Sequence, residues 1–357
     1  MSAIRSFTRV ASRATIAPRA AAGLSVRAMR PITASATKAQ ATEVVTEKEV
    51  PVTTWPQTKD ARSSIPVPPR SQSPPQPIAP VEDEEVHPLT AEAYEKMSPM
   101  MRKMTVFGKT IIITGAARGL GNYMARACAE AGAKNIVIFD ANQELGDEAA
   151  AELYQKTKIP VSFYKVDVRD GNAINAAVDR VCETYGVPDV LVNSAGIADS
   201  NIKAEEYDSN MFRRLIDINL TGTFLMSQAV GRKMIAAGKP GSIILVASMS
   251  GSVVNYPQEQ SCYNASKAGV VQFGKSIAAE WAKHNIRVNC ISPGYMDTAL
   301  NRVPALEAQK QIWKSLTPQN RLGAVDDLNG LCVFLASDAS GFMTGANVLI
   351  DGGYSCY

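Results

Sequence analysis

Tyr263 and Lys267 stand four residues apart in the run Tyr263-Asn264-Ala265-Ser266-Lys267, a spacing that puts both side chains on one face of a helix. A phenol with a reference pKa near 10 is a poor proton carrier at neutral pH. An ammonium about 4 Å away stabilises phenolate by about 4 kcal/mol at an effective dielectric of about 20, or about three pKa units. The pair is therefore expected to bring Tyr263 toward neutrality as an acid–base group. Ser248 lies fifteen residues earlier and offers a hydroxyl to orient a carbonyl or an alcohol. Asn219, in Asp217-Ile218-Asn219, is expected to hold, by side chain or local backbone, a water linking Lys267 to bulk solvent. A Tyr-x-x-x-Lys pair alone is common on helix surfaces, so its weight depends on the motifs around it.

The first of these is Thr114-Gly115-Ala116-Ala117-Arg118-Gly119-Leu120-Gly121, which follows an apolar run and opens an amphipathic one. Gly115, Gly119 and Gly121 let the backbone turn tightly and approach a pyrophosphate, and the helix N-terminus at Leu120 adds N–H donors and partial positive charge. Asp140 ends the next apolar run, 25 residues after Gly115. A carboxylate there accepts both ribose hydroxyls of NAD and repels a 2′-phosphate. Arg118 pulls the other way, so NAD is expected and NADP stays open. Asp167-Val168 closes a third run, with the aspartate placed for an adenine amino group. Asn193-Ser194-Ala195-Gly196 closes a fourth, with Asn193 and the small Ala195 and Gly196 leaving room for a cofactor. Pro293-Gly294-Tyr295-Met296-Asp297-Thr298 closes a sixth. There Pro293 and Gly294 shape the turn, while Thr298 and the Met296 backbone are placed for a nicotinamide amide.

These groups need a scaffold that brings strand ends together. Short, β-branched, almost uniformly apolar runs occupy 109–114, 135–140, 161–166, 190–193, 242–247, 287–291 and 348–350, as strands buried on both faces do. Helical patterns fill 119–131, 143–156, 171–185, 208–236, 262–284 and 326–336. Strands alternating with helices over short loops imply an α/β fold of Rossmann type: a doubly wound, mainly seven-stranded parallel sheet. Ligands bind such sheets beyond the carboxyl ends of the strands, where every motif above falls.

The catalytic domain is placed at 91–357, behind a disordered N-terminal leader in two parts. Residues 1–42 hold seven basic and no acidic side chains, and Arg5, Arg9 and Arg13 share one helix face. This reads as a mitochondrial transit peptide, addressing the chain to the matrix. Residues 43–90 read as a proline-rich linker, with ten prolines between Pro51 and Pro88; an extended spacer is expected. Removing residues 1–42 takes the formal charge from +3 to −4, which argues against nucleic acid as a partner. No apolar run is long enough for a membrane span. Two histidines and six cysteines without a C-x-x-C pair give no expected metal site and no Ser-His-Asp triad. The run from Gly269 to Ser276 matches a phosphate-loop pattern but continues the helix of Tyr263, and is rejected on that ground.

Taken in order, T-G-x-x-x-G-x-G, N-x-A-G, Asn219, Ser248, Y-x-x-x-K and P-G-x-x-x-T resemble the single-domain branch of the short-chain dehydrogenase/reductase family over about 105–357. The resemblance implies that Asn219, Ser248, Tyr263 and Lys267 form a catalytic tetrad, that Lys267 also holds the nicotinamide ribose, and that the long helices pair subunits into a homotetramer. Ser194 departs from the pattern, which usually has asparagine. At finer grain the chain resembles fungal polyol dehydrogenases acting on D-arabinitol and sorbose- or xylulose-type ketose reductases. This implies interconversion of a polyol and a ketose, such as D-arabinitol and its ketopentose, with Asn201, Ser250, Asn255 and Gln260 as candidate substrate contacts. Two alternatives are carried: a mitochondrial 3-oxoacyl-carrier-protein reductase using NADPH, and a non-catalytic scaffold of the same fold.

Overall fold

The computed structural model describes residues 87–199, 201–298 and 306–356. The leader and all but the last residues of the linker lie outside this range. Two short helices, α1 (Ala91–Lys96) and α2 (Pro99–Lys103), precede the first strand and are capped by the Thr90 and Ser98 hydroxyls. Then β1 (Thr110–Thr114), α3 (Gly119–Glu130), β2 (Asn135–Asp140), α4 (Gln143–Thr157) and β3 (Val161–Lys165) build one half of the fold. The second half comprises α5 (Gly171–Tyr185), β4 (Val190–Asn193), α6 (Ser209–Ile216), α7 (Gly222–Ala236), β5 (Gly241–Val246), α8 (Ser261–Trp281), β6 (Ile286–Pro293), α9 (Glu307–Leu316), α10 (Asn329–Ala336) and β7 (Asn347–Ile350).

The seven strands form one parallel sheet in the order β3-β2-β1-β4-β5-β6-β7, as the alternating pattern predicts. Strand order reverses between β1 and β4, which opens a crevice at their carboxyl ends. Alternate residues of each strand feed opposite cores. Ile112, Val137, Phe139, Leu191, Ile243 and Leu245 pack under α5, α7 and α8. Ile111, Ile113, Ile136, Ile138, Val192 and Ile244 pack under α3, α4 and α10.

Four elements differ from the sequence reading. The expected helix over 208–236 is broken by a π-helical turn at Asp217–Thr221. The helix α9 was not foreseen, and neither were α1 and α2. The false phosphate-loop match lies wholly inside α8, and its Gly274 serves packing: a Cβ there would come 2.9 Å from Cys290 Sγ.

One tie across the sheet is testable. The half-buried Arg287 guanidinium donates to the Leu335 and Ser337 carbonyls at 3.0 and 3.1 Å and to Ser340 Oγ at 2.7 Å, closing the C-terminal end of α10. Arg287→Met removes the charged donor of these bonds at a largely buried place, while Ser242 and Ser340 still donate to the two carbonyls, and should destabilise the fold by about 1.5–3 kcal/mol. The expected readout is a lower urea midpoint with an unchanged slope; an unchanged midpoint would show that the guanidinium contributes nothing net.

Candidate active site

At the crevice, Gly115 and Gly119 adopt positive φ of 66° and 64°. A Cβ on Gly115 would lie 2.7 Å from Ala195 Cα, and one on Gly121 would lie 2.6 Å from Ser194 Oγ and 2.7 Å from the Gly115 carbonyl. The ends of β1 and β4 therefore close on each other through glycine. A Cβ on Gly119 would meet nothing within 4 Å, so that part of the turn faces open space. Arg118 is the N-cap of α3 and makes no side-chain cap, whereas Asn142, Asp170 and Asp208 cap α4, α5 and α6. The first amides of α3 are thus left for an external anion, and the turn fits a dinucleotide pyrophosphate.

The neighbouring candidates divide by what already engages them. Asp140 accepts from Ala117 N at 3.2 Å and from Asn142 N at 3.0 Å, which pins its carboxylate beside the glycine turn. Asp167, expected to face adenine, is half-exposed and paired with Arg169, whose guanidinium holds its carboxyl below the usual range. Val168 is buried against Gly222. The Asn193 side chain is committed inward, accepting from Thr114 Oγ1 and donating to the Thr223 carbonyl, both at 3.0 Å. Ser194, the departure from the family pattern, donates to the Thr114 carbonyl and occupies the space that Gly121 vacates. Its small hydroxyl ties β4 to β1 where a longer side chain would crowd the turn. Thr114 Oγ1 in turn accepts the amides of Ser194 and Ala195, both at 3.0 Å; its site role was missed, although it stands in the quoted motif.

Lys267 and Tyr263 share a face of α8, with Nζ 5.8 Å from the phenol ring centroid. Lys267 is buried and donates to the Val246 carbonyl at 3.0 Å. A Cβ on Gly196 would come 3.5 Å from its Nζ and 3.2 Å from Asn219 Oδ1. The π-helical turn aims Asn219 into this convergence. Its Oδ1 accepts from Ile197 N at 2.8 Å, and its Nδ2 donates to the Ile197 carbonyl at 2.9 Å and to Ser266 Oγ at 3.1 Å. Its carbonyl accepts from Thr223 Oγ1 at 2.7 Å. The side chain therefore braces the loop after β4 against α8. Ser266 donates on to the Tyr263 carbonyl at 2.8 Å, a second role that the quoted motif contained unread.

The expected lowering of the Tyr263 pKa is not found in the protein alone. Burial pushes the phenol up, and hydrogen bonding with Ser248 opposes this only in part. Lys267 lies over the ring while bonding the Val246 carbonyl, and its charge does not offset the burial. Burial brings the ammonium itself down to about 8. Both groups thus shed their charge more readily than in water, and a ligand that brings charge or hydroxyls to the pair would retune them.

The candidate substrate residues fall into two places. Asn201 is exposed and exchanges amide hydrogen bonds with Gln309 of α9. Ser250, Asn255 and Gln260 are 5%, 3% and 7% exposed and bond to one another rather than facing open space. Beyond β6, Thr298 N donates to the Met296 carbonyl at 2.9 Å, Asp297 N donates to the Gly323 carbonyl at 2.7 Å, and Met296 is buried. Gly294 lets this turn touch the end of β7, since a Cβ would lie 2.6 Å from Asp351 Cα. Among the described residues no cluster of metal ligands occurs.

A family model described as Enoyl-(Acyl carrier protein) reductase matches residues 115–355. D-arabinitol 2-dehydrogenase [ribulose-forming] of Candida tropicalis is 39% identical over 280 residues, covering 74% of this chain and 98% of that protein. The chain belongs to the short-chain dehydrogenase/reductase family. NADP-dependent mannitol dehydrogenase of Hypocrea jecorina is 39% identical over 250 residues, covering 70% of this chain and 92% of that protein. The crystal structure of a gluconate 5-dehydrogenase from Burkholderia cenocepacia J2315 in complex with NADP and tartrate superimposes with a TM-score of 0.67 at 35% identity, covering 72% of this chain and 99% of that one. Membership of the short-chain dehydrogenase/reductase family makes this chain an oxidoreductase of CH–OH groups that uses a nicotinamide cofactor.

Two expectations follow from the site. Gly121→Ala forces a methyl onto Ser194 Oγ and the Gly115 carbonyl, an overpacking that costs about 1–3 kcal/mol. Dinucleotide affinity, read by fluorescence titration, should fall about tenfold or more, and unchanged affinity would contradict the close approach. The second concerns pH. The folded pKa of Lys267, about 8, lies below that of an ordinary lysine. Between the two values the unfolded chain keeps a proton that the native protein has shed, so stability from this group rises with pH across that window. Lys267→Met should therefore gain most on the wild type at pH 7 and lose that advantage toward pH 10, a change on the order of 3 kcal/mol. A pH-independent difference would sink the assignment.

Proposed function

We propose that this chain is an NAD-linked polyol dehydrogenase that interconverts a secondary alcohol of an open-chain sugar alcohol with the ketone, D-arabinitol and its ketopentose being the first pair to test. The observation that carries the reading is the meeting of Ser248, Tyr263 and Lys267 beyond an uncapped, glycine-lined helix start. The likeness to D-arabinitol and mannitol dehydrogenases supports the substrate class. A bound nicotinamide supplies the hydride acceptor. In oxidation Tyr263 takes the hydroxyl proton as its carbon loses hydride, and in reduction it returns the proton. Ser248 holds the reacting oxygen, Lys267 holds the nicotinamide ribose and steadies the phenolate, and Asn219 braces the floor beneath both.

The choice of NAD rests on Asp140, whose carboxylate is held at the glycine turn by two backbone amides. An exposed Arg118 at the start of α3 and the description of the matching family model favour a second reading, an NADPH-dependent reductase of acyl-carrier-protein thioesters. The leader over 1–42 is proposed to carry the chain into the mitochondrial matrix, and α6, α7 and α8 to pair subunits. The exposed Met211, Phe212 and Phe224 support such pairing, which light scattering would check as a mass several times that of one chain.

A panel of D-arabinitol, mannitol, xylitol and acetoacetyl thioester, each with NAD(H) and NADP(H), tests the reading. The polyols should turn over, and kcat/KM should favour NAD. Asp140→Ser removes a like-charge clash worth at least about one kcal/mol, and should move the NAD/NADP ratio about tenfold toward NADP. Thioester turnover with NADPH alone would install the second reading, and turnover of none of these would remove both.

A further inference from the structure

Ser248 does not stand alone at the end of β5. Its Oγ donates to Ser250 Oγ at 3.0 Å and accepts from Ser250 N at 3.2 Å. Gln260 Nε2 shares its two N–H donors among the same Ser250 Oγ at 3.2 Å, Asn255 Oδ1 at 2.8 Å and Asn264 Oδ1 at 2.9 Å. The direction of this chain is fixed from outside. Tyr295 gives its hydroxyl proton to Gln258 Oε1 at 2.6 Å, so it accepts from Asn255 Nδ2 at 3.2 Å. That turns the Asn255 carbonyl toward Gln260, and Gln260 must then present its NH2 to Ser250. Tyr295 is itself held by stacking on Trp313, with centroids 4.3 Å apart. Gly251 closes the same turn onto α8, because a Cβ there would come 2.9 Å from the Lys267 carbonyl.

We propose that Gln260, acting through Ser250, is a positioning residue for the Ser248 hydroxyl. A serine oxygen accepts two hydrogen bonds. Ser250 Oγ receives one from Ser248 and one from Gln260. The amide donor competes for the electron density that holds the Ser248 proton, so that proton is parked but weakly held. When a reacting oxygen gathers negative charge beside Tyr263, the Ser248 hydroxyl swings to it, and the Ser250 amide keeps Ser248 Oγ in place. Ser250 touches Ser248, and Gln260 touches Ser250, so both act here through Ser248, a role other than the polyol contact expected of them.

The inference rests on the alcohol-oxidising reading above, and two measurements on the full chain separate their failures. Gln260→Leu, which leaves Ser250 Oγ to hold the Ser248 proton more firmly, should lower kcat about tenfold, less than the roughly 10²–10³-fold loss seen when an oxyanion donor itself is removed, whereas Ser250→Ala, which frees that proton and keeps the amide, should change kcat less than about threefold, both with KM for the polyol and cofactor affinity within about twofold. The double variant should lose no more than the worse single one, as members of one relay do. Independently of turnover, NMR of ζ-carbon-labelled tyrosine, with Tyr263 assigned by Tyr263→Phe, should show Tyr263 titrating at higher pH in Gln260→Leu and not in Ser250→Ala, because a Ser248 proton held more firmly by Ser250 favours the phenolate less. A raised KM at unchanged kcat, additive losses, or an unmoved Tyr263 titration in Gln260→Leu would each overturn the positioning role. Absence of polyol turnover by the unaltered enzyme would overturn the substrate reading and leave the titration to decide this one.

Discussion

The site is organised around a buried ammonium that has no carboxylate beside it among the described residues. Lys267 is 6% exposed and donates to the Val246 backbone carbonyl. Burying an unpaired charge costs several kcal/mol unless the group is paired or gives up its proton, and the lowered pKa of Lys267 expresses that cost. Such an arrangement persists only if the surrounding structure enforces it. Here Gly196 leaves space above the ammonium, Asn219 closes its side, and Gly251 lets the turn after β5 sit on the backbone of α8. A deficit of negative charge beside a protonatable phenol is useful to an enzyme that must stabilise phenolate only when substrate and cofactor arrive.

The sheet turns that local cost into a site. Reversal of strand order between β1 and β4 leaves a gap at their carboxyl ends, and the glycines at 115 and 121 draw those ends together until Thr114, Asn193 and Ser194 share a compact hydrogen-bond cluster. The cofactor half of the site is therefore built mainly from backbone, through an uncapped helix start and a pinned carboxylate. The catalytic half is built from side chains of α8 and the turn after β5. The π-helical turn joins the two halves: an extra residue in the helical turn presents Asn219 between the β4 loop and α8, which a regular helix over 208–236 would not do.

Much of this was legible in the sequence because it is local. Strand positions followed from apolar runs, and the Tyr263–Lys267 face followed from a spacing of four. The glycine turn was readable because its conformations exclude side chains. What escaped was set by pairing across distance. Nothing in 208–236 announces a π-turn, since its cause is the fit of Asn219 to Ile197 and Ser266. The Ser194 departure looked like a lost amide, and only its contact with Gly121 shows that the site needs a small group there. Ser250, Asn255 and Gln260 have the right chemistry to bind a polyol, and their mutual bonds become visible only when Tyr295 and Trp313 are packed beside them. The direction of the Tyr263 shift was misjudged because a spacing rule fixes a shared face but neither the depth of burial nor the aim of the ammonium.

The most direct test of this account is the titration of Lys267 itself. NMR of the side-chain nitrogen in lysine-labelled protein, with the resonance assigned by its loss in Lys267→Met, reports that proton without kinetics or ligand. The account predicts that Lys267 loses its proton near pH 8 in the free protein, well before the surface lysines. A titration at or above the ordinary lysine value would mean that the ammonium is solvated or paired, and the physical basis proposed for the site would be wrong.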